Sequence, residues 1–172
     1  MRRVQITPLL LLLLAGCAAG GHEGHHPAGP YAGQQSRDIK ALSEDEVRGY
    51  LDGAGMGFAK AAELNGYPGP MHTLEHADAL ALTGDQRAAL DALLKRHKAE
   101  VRGLGAEVVR LERELDRVFA ERRASPAAVD AKVAEAAAAQ AKVRASHLKA
   151  HLETTALLSA EQRERYNRLR GY

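Results

Sequence analysis

A five-residue pattern occurs twice in this chain, as Leu82-Thr83-Gly84-Asp85-Gln86 and as Leu158-Ser159-Ala160-Glu161-Gln162, and the stretch between the copies is patterned for helix throughout. In each copy a hydroxyl side chain can accept a hydrogen bond from the backbone N–H three residues on. The Gln amide oxygen can reach back to the capping residue's own N–H. Thr83, Gln86, Ser159 and Gln162 are therefore expected to be structural caps, and each copy to start a helix.

The spacing between the copies sets the architecture. Leu90, Leu94, His97, Val101, Leu104, Val108, Leu111, Leu115 and Val118 follow one another at steps of four and three, the seam of a helix packed lengthwise on another. The run stops at Glu121-Arg122-Arg123-Ala124. Ser125-Pro126 restarts it, serine as N-cap and proline at the first helical position, where its missing N–H costs nothing. Val129, Val133, Ala136, Gln140, Val143, His147, Ala150, Thr154 and Leu157 then carry the same alternation, with small side chains from Ala136 to Ala139 that permit close backbone approach. So short a connection makes the helices, about 84–122 and 126–157, antiparallel neighbours in which residue numbers summing to about 247 lie level. Gln86 then lies opposite Glu161, and both pentapeptides fall at the same end of the hairpin. The predicted fold is all-α: a long antiparallel helical hairpin with several short flanking helices.

The two L-[ST]-x-x-Q copies bracketing such a hairpin resemble the Spy/CpxP, or LTxxQ, family of periplasmic proteins over roughly residues 70–172. That family includes stress chaperones and relatives described as heavy-metal sensors or resistance proteins. The resemblance implies a Spy-like hairpin, a homodimer, and binding to exposed surfaces of unfolded or stressed envelope proteins.

The N-terminus reads as an export signal. Arg2 and Arg3 precede an apolar run through Leu9 to Leu14, too short for a permanent span, and then Leu14-Ala15-Gly16-Cys17. This ending resembles the bacterial lipobox, in which the cysteine becomes a lipidated N-terminus. Residues 1–16 are then a lipoprotein signal peptide and Cys17 a lipidation site, its several acyl chains giving stable anchoring. Ala18 stands where an Asp would favour inner-membrane retention, so the expected location is the periplasmic face of the outer membrane. Cys17 is the only cysteine, which excludes a disulfide framework and a thiol nucleophile.

Arg2 and Arg3 also supply the whole excess of 24 Lys and Arg over 22 Asp and Glu. A neutral remainder offers nucleic acid no basic surface. Residues 17–40, rich in Gly, His and Pro, are expected to be a flexible tether, and 41–172 a single helical domain. Ser43-Glu44-Asp45-Glu46 opens a short helix that Gly53 and Gly55 end. Met56 to Leu64 is predicted as another, with a last short one from about Met71. Gly103 and Gly105, inside the first long helix, are read as a place where another backbone comes close, with a hinge as the alternative.

Eight histidines are the main chemical clue. His147 and His151 share a helix face, and the hairpin alignment brings His97 within about one turn of both. Three imidazoles would suit Zn²⁺, Ni²⁺ or Cu²⁺, with Glu100 or Glu153 as a fourth ligand. The structural alternative is a narrow polar section of the seam, filled by hydrogen-bonded histidines. His72 and His76, with Glu75 beside them, form a competing metal set, and the resemblance to the metal-sensor relatives implies the same combination. In the tether, His22, Glu23, His25 and His26 could hold metal loosely. No cofactor is required by this reading, and no enzyme is expected: Ser146 and His147 are neighbours on different helix faces, and no phosphate loop, HExxH or CxxC occurs. The expected function is therefore that of a membrane-anchored, protein-binding envelope chaperone, with metal sensing or resistance as the alternative.

Overall fold

The computed structural model describes residues 29–172. The leader, Cys17 and the tether residues His22, Glu23, His25 and His26 lie outside the described residues. Residues 29–32 close a turn in which the Ala32 N–H donates to the Gly29 carbonyl. The body from Gly33 to Tyr172 is helical, with no strand among the described residues. Its helices are α1 (Glu44–Asp52), α2 (Lys60–Glu63), α3 (Pro70–Glu75), α4 (Gly84–Ala120), α5 (Pro126–Leu157) and α6 (Ala160–Arg170). No helix among the described residues is long and apolar enough to cross a membrane.

The hairpin of α4 and α5 forms the frame. α4 has 37 residues and is about 55 Å long. It ends where Arg122 turns left-handed, at φ 52°, and α5 begins behind the N-cap Ser125 with Pro126 at its first position. Cross-helix partners follow the alignment read from the sequence: Gln86 with Gln162, Arg96 with Glu153, His97 with His147, and Glu114 with Lys132.

At the open end of the hairpin, opposite the turn, the two pentapeptides meet. Thr83 caps α4 and Ser159 caps α6, each completing its box with the Gln three residues on. The two Gln side chains then pair, Gln86 Nε2 to Gln162 Oε1 at 2.9 Å and Gln162 Nε2 to Gln86 Oε1 at 3.0 Å. Gln86 Nε2 also donates to the Leu157 carbonyl and Gln162 Nε2 to that of Leu80. Both donors and both acceptors of each carboxamide are used. Beside this clamp lies an apolar core of Ala77, Leu80, Leu82, Leu90, Leu158 and Tyr166.

A second core lies under α1, where Ile39 and Tyr50 pack on Val108, Val109, Leu111, Ala136, Ala139 and Val143. The approach there is backbone to backbone. A Cβ at Gly105 would stand 2.1 Å from the Tyr50 carbonyl oxygen, so glycine is required. Gly103 faces open space and carries no such contact.

Three sequence expectations are corrected. The helix predicted over Met56 to Leu64 is confined to Lys60–Glu63, because Met56 (φ 44°) and Gly57 (φ 77°) are both left-handed and a right-handed helix starts only after them. Val133 is not a seam residue but 48 % exposed, because it lies toward the hairpin tip, beyond the core under α1. Leu93, Gly105 and Val109, absent from the single predicted stripe, are buried, since α4 is covered by α1 and α3 as well as by α5.

Candidate functional site

Between the two apolar cores the seam turns polar. His97 on α4 and His147 on α5 are both buried, with ring centroids 4.8 Å apart in an edge-to-face arrangement. His97 Nε2 lies 3.1 Å from His147 Nδ1, and His97 Nδ1 lies 3.2 Å from Ser146 Oγ. The far face of His147 stacks on Phe58, at a centroid distance of 5.8 Å. Burial lowers the pKa of both imidazoles. For His147, with the charges of His97 and His151 adding to burial, it falls to about 4. Both rings are neutral at neutral pH.

His147 Nε2 is buried and has no hydrogen-bond partner. An orphaned buried N–H is rarer than an orphaned acceptor, which assigns the His147 proton to Nδ1. That N–H donates to His97 Nε2, and the His97 Nδ1–H donates to Ser146 Oγ. His147 Nε2 is left as a bare lone pair.

His147 also contributes to the wall of a cleft of about 500 Å³. Met56, Glu63, Met71, His72, His147 and His151 all line it, with Lys60, Lys98 and Arg170 also on its wall. The His151 Nδ1–H donates to the Tyr67 carbonyl at 2.7 Å. A Cβ at Gly69 would come within 2.8 Å of His151 Nε2, a clash that glycine avoids. His72 repeats the pattern, its Nδ1 held 2.7 Å from the Glu75 carboxylate, which the hydrogen bond keeps at a lowered pKa. Glu63 takes the Tyr166 hydroxyl and Arg170 Nε on Oε1. Its Oε2, 3.6 Å from His151 Nδ1, is the second buried polar atom on this wall without a hydrogen bond.

The sequence-derived candidates are thus redistributed. Of His97, His147 and His151, the first has both nitrogens engaged and serves to orient the second. Of His72, His76 and Glu75, only His72 lines the cleft, with Glu75 anchoring it from outside. Glu100 is exposed and Glu153 is paired with Arg96. Among the described residues no three His, Cys, Asp or Glu side chains are gathered closely enough to hold a metal ion. Met56, Met71 and Glu63 were missed by sequence reasoning. Met56, set between Gly55 and Gly57, carried the one usable signal, since those glycines mark backbone that comes near something else.

The model of the heavy-metal resistance family matches residues 52–165, from the last residue of α1 into α6. The chain belongs to that family. Its long helical hairpin with shorter flanking helices is that of the Spy/CpxP-like class. No match was found to a curated protein or to a solved structure. For a heavy-metal resistance protein the cleft offers imidazole nitrogens: the buried, unpartnered Nε2 of His147 and the Nε2 of His151 beside Gly69, where a Cβ would intrude, with His147 Nδ1 held by His97 and His151 Nδ1 by the Tyr67 carbonyl. That last arrangement is how imidazole ligands are ordinarily oriented.

Proposed function

We propose that this protein is a non-enzymatic member of the heavy-metal resistance family that binds a transition-metal ion in the cleft, through Nε2 of His147, His151 and His72. The buried, unpartnered Nε2 of His147 carries the reading, because a polar atom left bare in a native interior calls for a ligand. Among the described residues these donors are not gathered into one group, so an ion would itself have to draw them together. A bound metal would be a structural or signalling ligand here, with Glu63 balancing charge at the wall. The Leu14-Ala15-Gly16-Cys17 ending supports an anchored, periplasm-facing placement for this role.

Calorimetric titration of the full chain with Zn²⁺, Ni²⁺, Cu²⁺ and Ag⁺ tests it. The expected result is one site with Kd of about micromolar or tighter for at least one ion, lost in His147→Ala and His151→Ala and kept in His76→Ala. No saturable heat with any of the four ions would overturn it.

A second role, weak binding of unfolded envelope proteins by a homodimer, is supported by apolar side chains left uncovered near the hairpin tip. Phe119 is 56 % exposed there, and Val133 is also left exposed. Suppression of aggregation of an unfolded test protein at stoichiometric ratio is the expected outcome, and no effect of Phe119→Ser on it would sink this role.

A further inference from the structure

The cleft carries apolar surface and positive charge that its imidazoles do not account for. Leu64, Met71 and Tyr172 line it and are 55 %, 43 % and 50 % exposed, so folding leaves three large apolar side chains in water at one concave place. Leu94 of α4 lines it as well. Apolar groups scattered singly over a surface need no explanation, but groups gathered in a cleft with charged residues on its wall mark a binding site. The volume, about 500 Å³, is that of a small-molecule site.

The charge is of one sign. The wall carries Lys60, Lys98 and Arg170 against a single carboxylate side chain, Glu63. Arg170 is already engaged, since its Nε donates to Glu63 Oε1 and it is hydrogen-bonded to Tyr172 as well. Lys60, the first residue of α2, and Lys98 on α4 make neither an ion pair nor a side-chain hydrogen bond among the described residues. The buried imidazoles add no opposing charge, because desolvation holds His97 and His147 neutral. We propose that the cleft takes a small amphipathic organic anion, a monocarboxylate on an unbranched apolar chain, with Lys60 and Lys98 receiving the carboxylate and Leu64, Met71 and Leu94 the chain. An organic cation would meet the same two ammonium groups, and a small inorganic anion would gain nothing from the apolar wall. Ion pairs to exposed lysines are weak singly, so the chain supplies most of the affinity and the carboxylate the selectivity. Each methylene withdrawn from water strengthens binding up to about fourfold. This reading uses other groups than the metal reading and does not rest on it.

The test is titration of the full chain with decanoate, kept below its micelle concentration and in the presence of EDTA, beside hexanoate, acetate and decyltrimethylammonium. Decanoate is expected to saturate a single site with Kd of about 100 μM or tighter. Hexanoate should bind at least about tenfold more weakly, and acetate and the decyl cation should not saturate. In methyl NMR of [¹³Cε]methionine-labelled protein the Met71 resonance, assigned with Met71→Leu, should move with decanoate. Lys60→Gln/Lys98→Gln, which changes only exposed side chains, should weaken decanoate about tenfold, and Leu64→Gln/Met71→Gln should weaken it at least as much. No saturable binding of decanoate, binding of the decyl cation as tight as that of decanoate, unchanged affinity in the lysine double variant, or a Met71 resonance that stays still would each overturn the proposal. EDTA separates this result from the metal reading, which is decided by metal titrations run without decanoate.

Discussion

Gln86 and His97 sit on the same helix about 16 Å apart, and they treat their polar atoms in opposite ways. At the open end of the hairpin Gln86 and Gln162 saturate each other: every donor and acceptor of both carboxamides is bonded, with two backbone carbonyls and two N-cap amides drawn in. At the level of His97, the neighbouring His147 Nε2 and Glu63 Oε2 are buried and bare. A saturated half-buried network adds stability and fixes register, because each missing partner would cost the desolvation of what it leaves behind. An unsaturated one subtracts stability and persists only where something else is gained. The first region is there to hold the hairpin; the second is held by it.

If that contrast is right, the largest loss follows from cutting the clamp. Gln162→Leu removes the amide that caps Ser159, donates to Leu80 and pairs with Gln86. Urea denaturation should show a loss of about 3 kcal/mol. Gln162→Glu should fall between it and wild type, because a carboxylate can still accept from the Ser159 N–H, as Glu46 does from Ser43, but cannot donate. Equal losses for Leu and Glu would mean that the cap alone matters. The next effect is steric: Gly105→Ala drives a methyl into the Tyr50 carbonyl and should cost about 2 kcal/mol. Gly103→Ala, in open space, should instead gain up to about 1 kcal/mol. Matching signs for the two glycines would remove the close approach of α1 from the account.

The clamp region was open to sequence reasoning and the cleft was not, for a physical reason. Caps, seam and hairpin alignment depend on residues near in sequence or related by one helix-to-helix register, so the meeting of the two pentapeptides at one end follows from spacing, whereas the close approach expected at Gly103 and Gly105 is made by Gly105 alone. The same register brought His97 to His147. What it could not give is which nitrogen of each ring is free, since that is decided by Ser146, Tyr67 and Glu75, three partners on three different elements. Nor could it place Met56, whose left-handed backbone breaks the helix that its neighbours' composition suggested. His72 reached the cleft through the docking of α3, a tertiary event that periodicity does not encode.

The smallest effect tests the bare side of the comparison. His147→Leu loses the one hydrogen bond from Nδ1–H to His97 Nε2 and none at Nε2, and is expected to cost about 1 kcal/mol at pH 7.5. Acid should narrow the difference. The folded-state pKa of His147 is lowered from 6.5 to about 4, so between those values the unfolded chain takes up a proton that the folded chain refuses. Stability is therefore complete above about pH 6.5 and falls as pH drops toward 4. His97, whose pKa is also lowered by burial, acts in the same sense. Denaturation curves at pH 7.5, 5.5 and 4.5 should show wild type losing stability faster than His147→Leu, the two lines crossing as the acid cost of the buried imidazole overtakes its packing. Parallel lines would mean that the ring is charged at little cost in place, with water at its Nε2, and the contrast between a sealed clamp and an unsatisfied cleft would close.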